Sequence, residues 1–479
     1  MLIQIFALAH ALIVITFSAR ILLRDDLSSA ARLAWFLVML LGPYVGVVLY
    51  LLFGEINLGR TIHRRHDEIF AKLGEVAGAA LGDSDKNLPG NVEVEYQTAF
   101  RAASVDGFQI TLGNRAELLP DADSARSRLI EDIDQATESV QALYYIWLDD
   151  NTGRNVAQAL IRAAQRGVVV HAMADGLGSR KFIRSKYWQE MRQAGVKLTV
   201  ALPMKWVIDT ILFSRIDLRN HRKITVIDSR ITWCGSQNCA DPEFLVKAKY
   251  APWVDIMLRL EGPVVAQCQL VFASDWLLNS GEQIPGSFQM QAEEIDGGFP
   301  AQMFADGPTE RRGATPQLFA TLLATARKEV VISTPYFVPN STVLDAIYAA
   351  GVRGVDVTMI FPQRNDSWIV AAASRSYYRQ LLMHGVKIHE FRDGLLHSKT
   401  LTIDRVLSLV GSTNLDLRSF DLNYENDILL RDGELTQAIF ERQQDYLRQS
   451  APVTIDDVNS WTYGRRIWNN VIATVGPVL

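Results

Sequence analysis

Two eight-residue segments carry the side chains best suited to chemistry. The first runs His221-Arg-Lys223-Ile-Thr-Val-Ile-Asp228 and is followed by Gly235-Ser236-Gln237-Asn238. The second runs His397-Ser-Lys399-Thr-Leu-Thr-Ile-Asp404 and is followed by Gly411-Ser412-Thr413-Asn414. In both, Asn follows His by 17 positions. Positions i and i+2 of a strand share a face, so each segment presents an imidazole beside an ammonium, and the following Ser and Asn can return to the same end. If the two segments converge, one imidazole can attack a phosphorus while the other protonates the leaving oxygen, and the lysines and amides stabilise charge on the non-bridging oxygens. That is a set for phosphodiester transfer. A single strand histidine is usually structural, and duplication in one frame is what singles out His221 and His397; His10, His63, His66, His171, His384 and His389 lack such company. No metal or other cofactor is expected, because a lysine at i+2 repels a cation and no Cys or carboxylate cluster completes a ligand set.

The elements that must position these residues also recur. Ser139-Val-Gln-Ala-Leu-Tyr-Tyr-Ile-Trp147, the helical Ala159 to Gly167 and the strand-like Val168 to Met173 are matched by Glu329-Val-Val-Ile-Ser-Thr-Pro-Tyr-Phe337, Ala346 to Gly354 and Val355 to Ile360. Each block continues through a helix ending in Gly-Val-Lys, at Gly195 and Gly385, into another β-rich stretch. Strands alternating with helices of this length indicate βα units and a largely parallel or mixed sheet flanked by helices. The halves differ at one place. Gly195 to His221 is 26 positions and Gly385 to His397 only 12, an insertion of 14 residues holding Trp206-Val-Ile208 and Ile211-Leu-Phe213, which read either as core or as a hydrophobic lip for acyl chains.

The N-terminus reads as a membrane hairpin. Leu2 to Ser18 carries no charge, and Leu33 to Phe53 is an uncharged run of 21 residues, about 31 Å as a helix and enough to cross a hydrocarbon core. No basic segment precedes the first run, which argues against a cleaved signal. Arg60, Arg64, Arg65 and Lys72 follow the second run; they and the sparse cysteines, Cys234, Cys239 and Cys268, favour a cytoplasmic catalytic part. The chain of 479 residues is 48% hydrophobic and carries a net charge of −5. It therefore has room for several domains and lacks the basic excess of a nucleic-acid coat. The expected organisation is a transmembrane hairpin (1–55), a juxtamembrane linker (56–109), a first half (110–278), a Gly-, Pro- and acid-rich connector (279–315), a second half (316–450) and an amphipathic tail (451–479). In that tail Trp461, Trp468, Val471, Ile472 and Val475 fall near helical spacing.

The two HKD motifs and the repeat around them, over roughly residues 110 to 450, resemble the phospholipase D superfamily. The leading apolar hairpin, Tyr144-Tyr145-Ile146-Trp147, Pro335-Tyr336-Phe337-Val338-Pro339 and Asn414-Leu-Asp-Leu-Arg-Ser419 are similar, more narrowly, to bacterial cardiolipin synthases. The resemblance implies an α/β fold of two similar halves with one active site at their interface. It also implies metal-independent transfer of a phosphatidyl group between phosphatidylglycerol molecules, with glycerol released, at the bacterial inner membrane. Partners would be phosphatidylglycerol and other anionic phospholipids and the membrane, with no nucleic acid; a homo-oligomer is left open.

Carried over residue by residue, the resemblance makes His221, Lys223, Asn238, His397, Lys399 and Asn414 the core, with Ser236 and Ser412 beside the amides. His221 is favoured as nucleophile and His397 as acid and then base. An acidic residue downstream of each motif would hold the imidazole: Glu425 for the second half and Asp255 for the first. Asp228 and Asp404 complete the catalytic motifs, although they read as ion-pair or loop anchors rather than proton carriers. A hydrolase or nuclease of the same superfamily, a transferase using another phospholipid or alcohol, and an inactive lipid-binding scaffold are the alternatives.

Overall fold

The structure, a computed structural model, describes residues 2–25, 27, 29–54, 68–69, 94–105, 107–203, 217–285 and 293–474. The 14-residue insertion around Trp206 to Phe213, the basic residues Arg60 to Lys72 and Val475 of the tail lie outside the described residues.

The chain divides into two units, the first comprising Met1–Thr61, Met204–Leu218 and Val478. Its described part is helical: Leu2–Leu22, Ser29–Leu41 and Pro43–Leu49, with a π turn at Tyr50–Gly54. The second apolar run, expected as one span, is broken at Gly42, whose backbone leaves the helical region (φ −154, ψ 66). Pro43 lacks an N–H and cannot continue a helix, but it fits the first position of the next one. Ile21, Met39 and Tyr50 form a small apolar cluster, with Tyr50 edge-on to Phe17 and Trp35. Among the described residues no helix is long and apolar enough to cross a membrane.

The second unit, Ile62–Pro203 with Arg219–Pro477, holds both motifs. Seven strands of its first half are β1 (Thr111–Leu118), β2 (Ser139–Tyr144), β3 (Val169–Asp175), β4 (Lys197–Ala201), β5 (Lys223–Ile227), β6 (Ile231–Gly235) and β7 (Met257–Glu261). Their counterparts are β8 (Phe299–Asp306), β9 (Glu329–Ser333), β10 (Asp356–Pro362), β11 (Lys387–Phe391), β12 (Thr400–Ile403), β13 (Leu407–Gly411) and β14 (Asn423–Arg431), with β15 (Ser450–Val453) added at the edge. These strands lie in one mixed sheet in the order β15-β11-β10-β9-β12-β13-β14-β8-β1-β7-β6-β5-β2-β3-β4; the short strand Arg219–Asn220 pairs alongside β14. Apart from β15, the order reads the same from both edges. That is the pseudo-twofold of a duplicated half, with the antiparallel pair β8–β1 at its centre.

Local signals repeat with it. Asp150 and Asn340 cap the helices Asn151–Gln165 and Ser341–Val352 by accepting from the N–H groups of Gly153 and Val343, contacts worth about 1 kcal/mol each. Ser185 and Ser367 cap the helices Lys186–Gln193 and Trp368–Met383 in the same way. Gly195 and Gly385 stop these helices at φ 97 and φ 81, a left-handed backbone that glycine adopts without a Cβ penalty. The strands before and after each histidine are buried on both faces, Lys223–Ile227 along its whole length, which is why they read as continuous rather than alternating apolar runs.

Three stretches expected outside the halves contribute to the packed unit. The supposed connector contains β8, whose Ala301, Met303 and Ala305 lie in the core beneath the sheet centre; the Gly, Pro and acidic residues of the stretch had suggested a connector. The supposed linker contains the helix Val94–Ala103, with Phe100 and Ala103 buried beside Leu318 and Leu322. The tail forms the helices Ile455–Asn459 and Tyr463–Thr474.

Candidate active site

Each motif histidine is stitched to the opposite half. His221 follows Arg219–Asn220, which pairs in parallel with Asn423 and Tyr424 at the start of β14, and its N–H donates to the Tyr424 carbonyl at 2.9 Å. His397 follows Leu395–Leu396, which pairs in parallel with Trp253–Val254, and its N–H donates to the Val254 carbonyl at 2.8 Å. The residue after each partner is a carboxylate. Glu425 Oε2 therefore stands 2.8 Å from His221 Nδ1, and Asp255 Oδ1 stands 2.6 Å from His397 Nδ1.

This reverses the expected assignment. Glu425 had been given to the second half's histidine and Asp255 to the first's, on the assumption that each half completes itself. The two-residue strands before the histidines pair across the halves instead, so the carboxylates are exchanged.

The serines fix these carboxylates. Ser236 Oγ accepts from Ile256 N and donates to Asp255 at 2.6 Å; Ser412 Oγ accepts from Asn426 N and donates to Glu425 at 2.5 Å. Asn423 Nδ2 gives Glu425 a third bond at 3.0 Å. Lys223 and Lys399 are buried, and each donates its Nζ to the carbonyl of its own motif's histidine at 2.5 Å. Asn238 Oδ1 accepts from Ile146 N at 3.2 Å while its buried Nδ2 has no partner; Asn414 Nδ2 donates to Ser419 Oγ at 3.3 Å while its buried Oδ1 has none. A half-turn of the Asn414 amide exchanges its two ends. Both amides thus keep capacity for a bound group.

Asp228 and Asp404 do not join this cluster. They stand five residues along the strand from Lys223 and Lys399, about 16 Å away at 3.3 Å per residue. At positive φ (48 and 51), Asp228 accepts from the N–H groups of Thr137, Glu138 and Ser139, and Asp404 from those of Arg327, Lys328 and Glu329. Their place among the catalytic residues is corrected: they tie the end of the motif strand to the start of its neighbour, as the loop-anchor reading anticipated.

Burial lowers both histidines to about 4, against the upward pull of Glu425 on His221 and Asp255 on His397. Lys399 lowers His221 and Lys223 lowers His397, so the charges of the two halves act on one another. Burial likewise lowers Lys223 to about 8 and Lys399 to about 7. Burial pushes the carboxyls up, but His221 and Lys223 outweigh it at Glu425, and His397 and Lys399 outweigh it at Asp255, leaving both below their ordinary values. At neutral pH two neutral imidazoles therefore sit among two carboxylates, a mostly charged Lys223 and a Lys399 near its midpoint. Each imidazole gives its Nδ1–H to a carboxylate, which leaves the Nε2 lone pair free.

Several residues of the site were not among the expected site residues. Tyr145 packs edge-on to His221 at 4.8 Å and Trp253 lies against His397 at 4.5 Å. Asn426 Oδ1 accepts from Lys223 N at 2.9 Å. Arg222 pairs with Asp275 at 2.8 Å and donates to the Glu425 carbonyl at 3.0 Å. Its counterpart in the second motif is Ser398, and that asymmetry was the available signal.

A duplicated α/β half with a histidine, a lysine and an exchanged carboxylate from each copy defines a phospholipase D-like protein. The family described as "Cardiolipin synthase, PLD-like domain" matches residues 129–276 and 319–445, and "Phospholipase_D-nuclease N-terminal" matches residues 4–55. Proteins named cardiolipin synthase A from Yersinia pseudotuberculosis and Yersinia pestis are each 35% identical over 92% of this chain and 90% of their own length. The chain belongs to the cardiolipin synthase family of phospholipase D-like enzymes. The solved phosphatidylserine synthase from Haemophilus influenzae covers 80% of this chain and 100% of its own, with a TM-score of 0.60 and 15% identity, and supports the fold alone.

Proposed function

We propose that the chain is a cardiolipin synthase that moves a phosphatidyl group from one phosphatidylglycerol to another through a phosphohistidine. The observation that carries the reading is the pair of buried histidines, each with a free Nε2 and a carboxylate on Nδ1, beside two lysines. Nε2 of His221 forms the bond to phosphorus as the P–O bond to the departing glycerol breaks, and His397 gives that oxygen a proton. The hydroxyl of a second phosphatidylglycerol then attacks phosphorus, His397 takes its proton, and the P–N bond breaks. Lys223, Lys399, Asn238 and Asn414 hold the non-bridging oxygens.

The charge balance supports the proton's origin. The two lysines at most offset the two carboxylates, so a phosphodiester anion brings an uncompensated negative charge and favours protonation of Lys399 and of one imidazole. His397 is the group we assign to that proton.

We further read residues 1–55 as a hairpin that anchors the enzyme in the bacterial inner membrane, with its catalytic part on the cytoplasmic side. The two uncharged runs and the match of residues 4–55 to an N-terminal family support it. Given phosphatidylglycerol alone, the purified protein should yield cardiolipin and glycerol in equal amounts, without added metal or nucleotide, as read by mass analysis of products. Phosphatidic acid as the dominant product would make the chain a hydrolase.

A further inference from the structure

The C-terminal helix Tyr463–Thr474 packs through Ile472 against Ala372 and Ala373 of the helix Trp368–Met383, and Trp468 stacks on Trp368 at 5.8 Å. Between these helices lies a cavity of about 200 Å³, several times a water's share of about 30 Å³. Its charged lining is wholly cationic: Arg375, Arg379 and Arg466, with no carboxylate among the lining residues. Glu390 holds Arg375 at 3.2 Å, whereas among the described residues Arg379 and Arg466 form no ion pair. Asn469 lines the same cavity, is 4% exposed, and its Nδ2 has no partner. Buried amide donors are almost always satisfied. A cavity that gathers guanidiniums around an unsatisfied N–H suits an anion.

The outer surface indicates where that anion comes from. Positions 466, 469 and 470 share one face of the helix, and the neighbouring stripe carries Tyr463, Ile467 and Val471, exposed by 82%, 63% and 53%. Trp368 and Trp468 are also exposed by half or more. Aromatic and aliphatic side chains standing in water beside an arginine-lined pocket suit an interface where one side is apolar and the other anionic. We propose that this cavity binds the phosphate of an anionic phospholipid at the bilayer surface, with Tyr463, Ile467 and Val471 seated among its neighbours. It is a second lipid site, apart from the catalytic cluster, and it does not depend on which phospholipid the histidines consume.

The test uses a single reporter thiol. Cys234, Cys239 and Cys268 are buried, so in an Ile467→Cys full-length protein an environment-sensitive dye labels position 467. The protein is reconstituted in vesicles of phosphatidylcholine alone or mixed with phosphatidylglycerol. The dye should shift to the blue only in the mixed vesicles, and Arg379→Gln with Arg466→Gln should raise the phosphatidylglycerol fraction needed for half the shift at least about tenfold. Turnover on detergent-dispersed lipid should be unchanged in that variant, which separates this site from the active one and shows that the variant is folded; Arg379→Lys with Arg466→Lys should restore most of the response. An equal shift in both vesicle types, no shift, or an unaltered response in the glutamine variant overturns the proposal. A shift in phosphatidylcholine vesicles on adding inorganic phosphate would show that free phosphate fills the cavity, and would overturn the lipid assignment.

Discussion

Glu425→Gln is the sharpest probe of the exchanged carboxylates, because the surroundings dictate how the amide must sit. Ser412 Oγ already accepts from Asn426 N, so its own hydrogen must meet an oxygen at the Oε2 position. The glutamine oxygen therefore stays there, where it also accepts from His221 Nδ1, and the new NH₂ faces Asn423, whose buried Oδ1 is unpartnered and can turn to accept it. Tautomer and volume are kept and only the charge is lost. A unit charge about 4 Å from the imidazole contributes about 4 kcal/mol at an effective dielectric constant of about 20, which is about 10³-fold in the step at His221. Asp255→Asn should act alike on His397, since Ser236 fixes the amide oxygen there. The assay compares phosphatidylglycerol with a phosphodiester bearing a nitrophenolate leaving group, which departs without a proton. Loss of the acid is rescued by that substrate and loss of the nucleophile is not. Glu425→Gln should therefore behave as His221→Ala does, and Asp255→Asn as His397→Ala does, whichever histidine attacks. If Glu425→Gln grouped with His397→Ala, the exchanged pairing would be wrong.

Lys223→Met and Lys399→Met each remove a buried ammonium and keep its stem; turnover should fall about 10²–10³-fold with no loss of thermal stability, and normal turnover with a lowered Tm would make the lysines structural. Asp228→Ala removes an acceptor from three backbone N–H groups, so it should cost about 1–3 kcal/mol in urea denaturation and leave turnover per folded molecule unchanged. Acid should destabilise the fold: both histidines lie at about 4 in the folded protein against an ordinary 6.5. Their stabilising effect is full above 6.5 and is lost as pH falls towards about 4, with a slope of up to about 2.7 kcal/mol per pH unit if both contribute. At alkaline pH the two readouts should part. The lysines, lowered to about 8 and about 7, bind fewer protons folded than unfolded, so stability rises through that window while kcat/KM falls as the ammoniums discharge. A parallel fall of both would show that the charged lysines stabilise the fold.

The legible part of this protein is the part that was duplicated. His221 and His397 were found because each stands in the same frame with its lysine and amide, and the helix stops at Gly195 and Gly385 were found because a left-handed residue leaves glycine in both copies. What was misread lacks a local signal. The strand Phe299–Asp306 follows Gly297 and Gly298 and contains Pro300, and its place at the sheet centre depends on pairing with Thr111–Leu118 and Asn423–Arg431, far away in sequence. Gly42 and Pro43 were tolerable within one span on composition, yet Pro43 begins a separate helix.

The exchanged carboxylates show where local reading ends. Asp255 lies 19 positions beyond Ser236 and Glu425 13 beyond Ser412, each downstream of the motif of its own half, so order in sequence assigns them to their own histidine. What overrides it is two residues of parallel pairing on each side, Arg219–Asn220 with Asn423–Tyr424 and Leu395–Leu396 with Trp253–Val254. Strands so short carry no periodicity of their own, and their partners are chosen by the packing of whole halves. The consequence is mechanistic. Neither half holds a histidine in its working tautomer by itself, so a half separated from its partner would keep its lysine and amide but lose the carboxylate that orients its imidazole. Duplication supplied two copies of the chemistry, and the exchange of Glu425 and Asp255 makes each copy depend on the other.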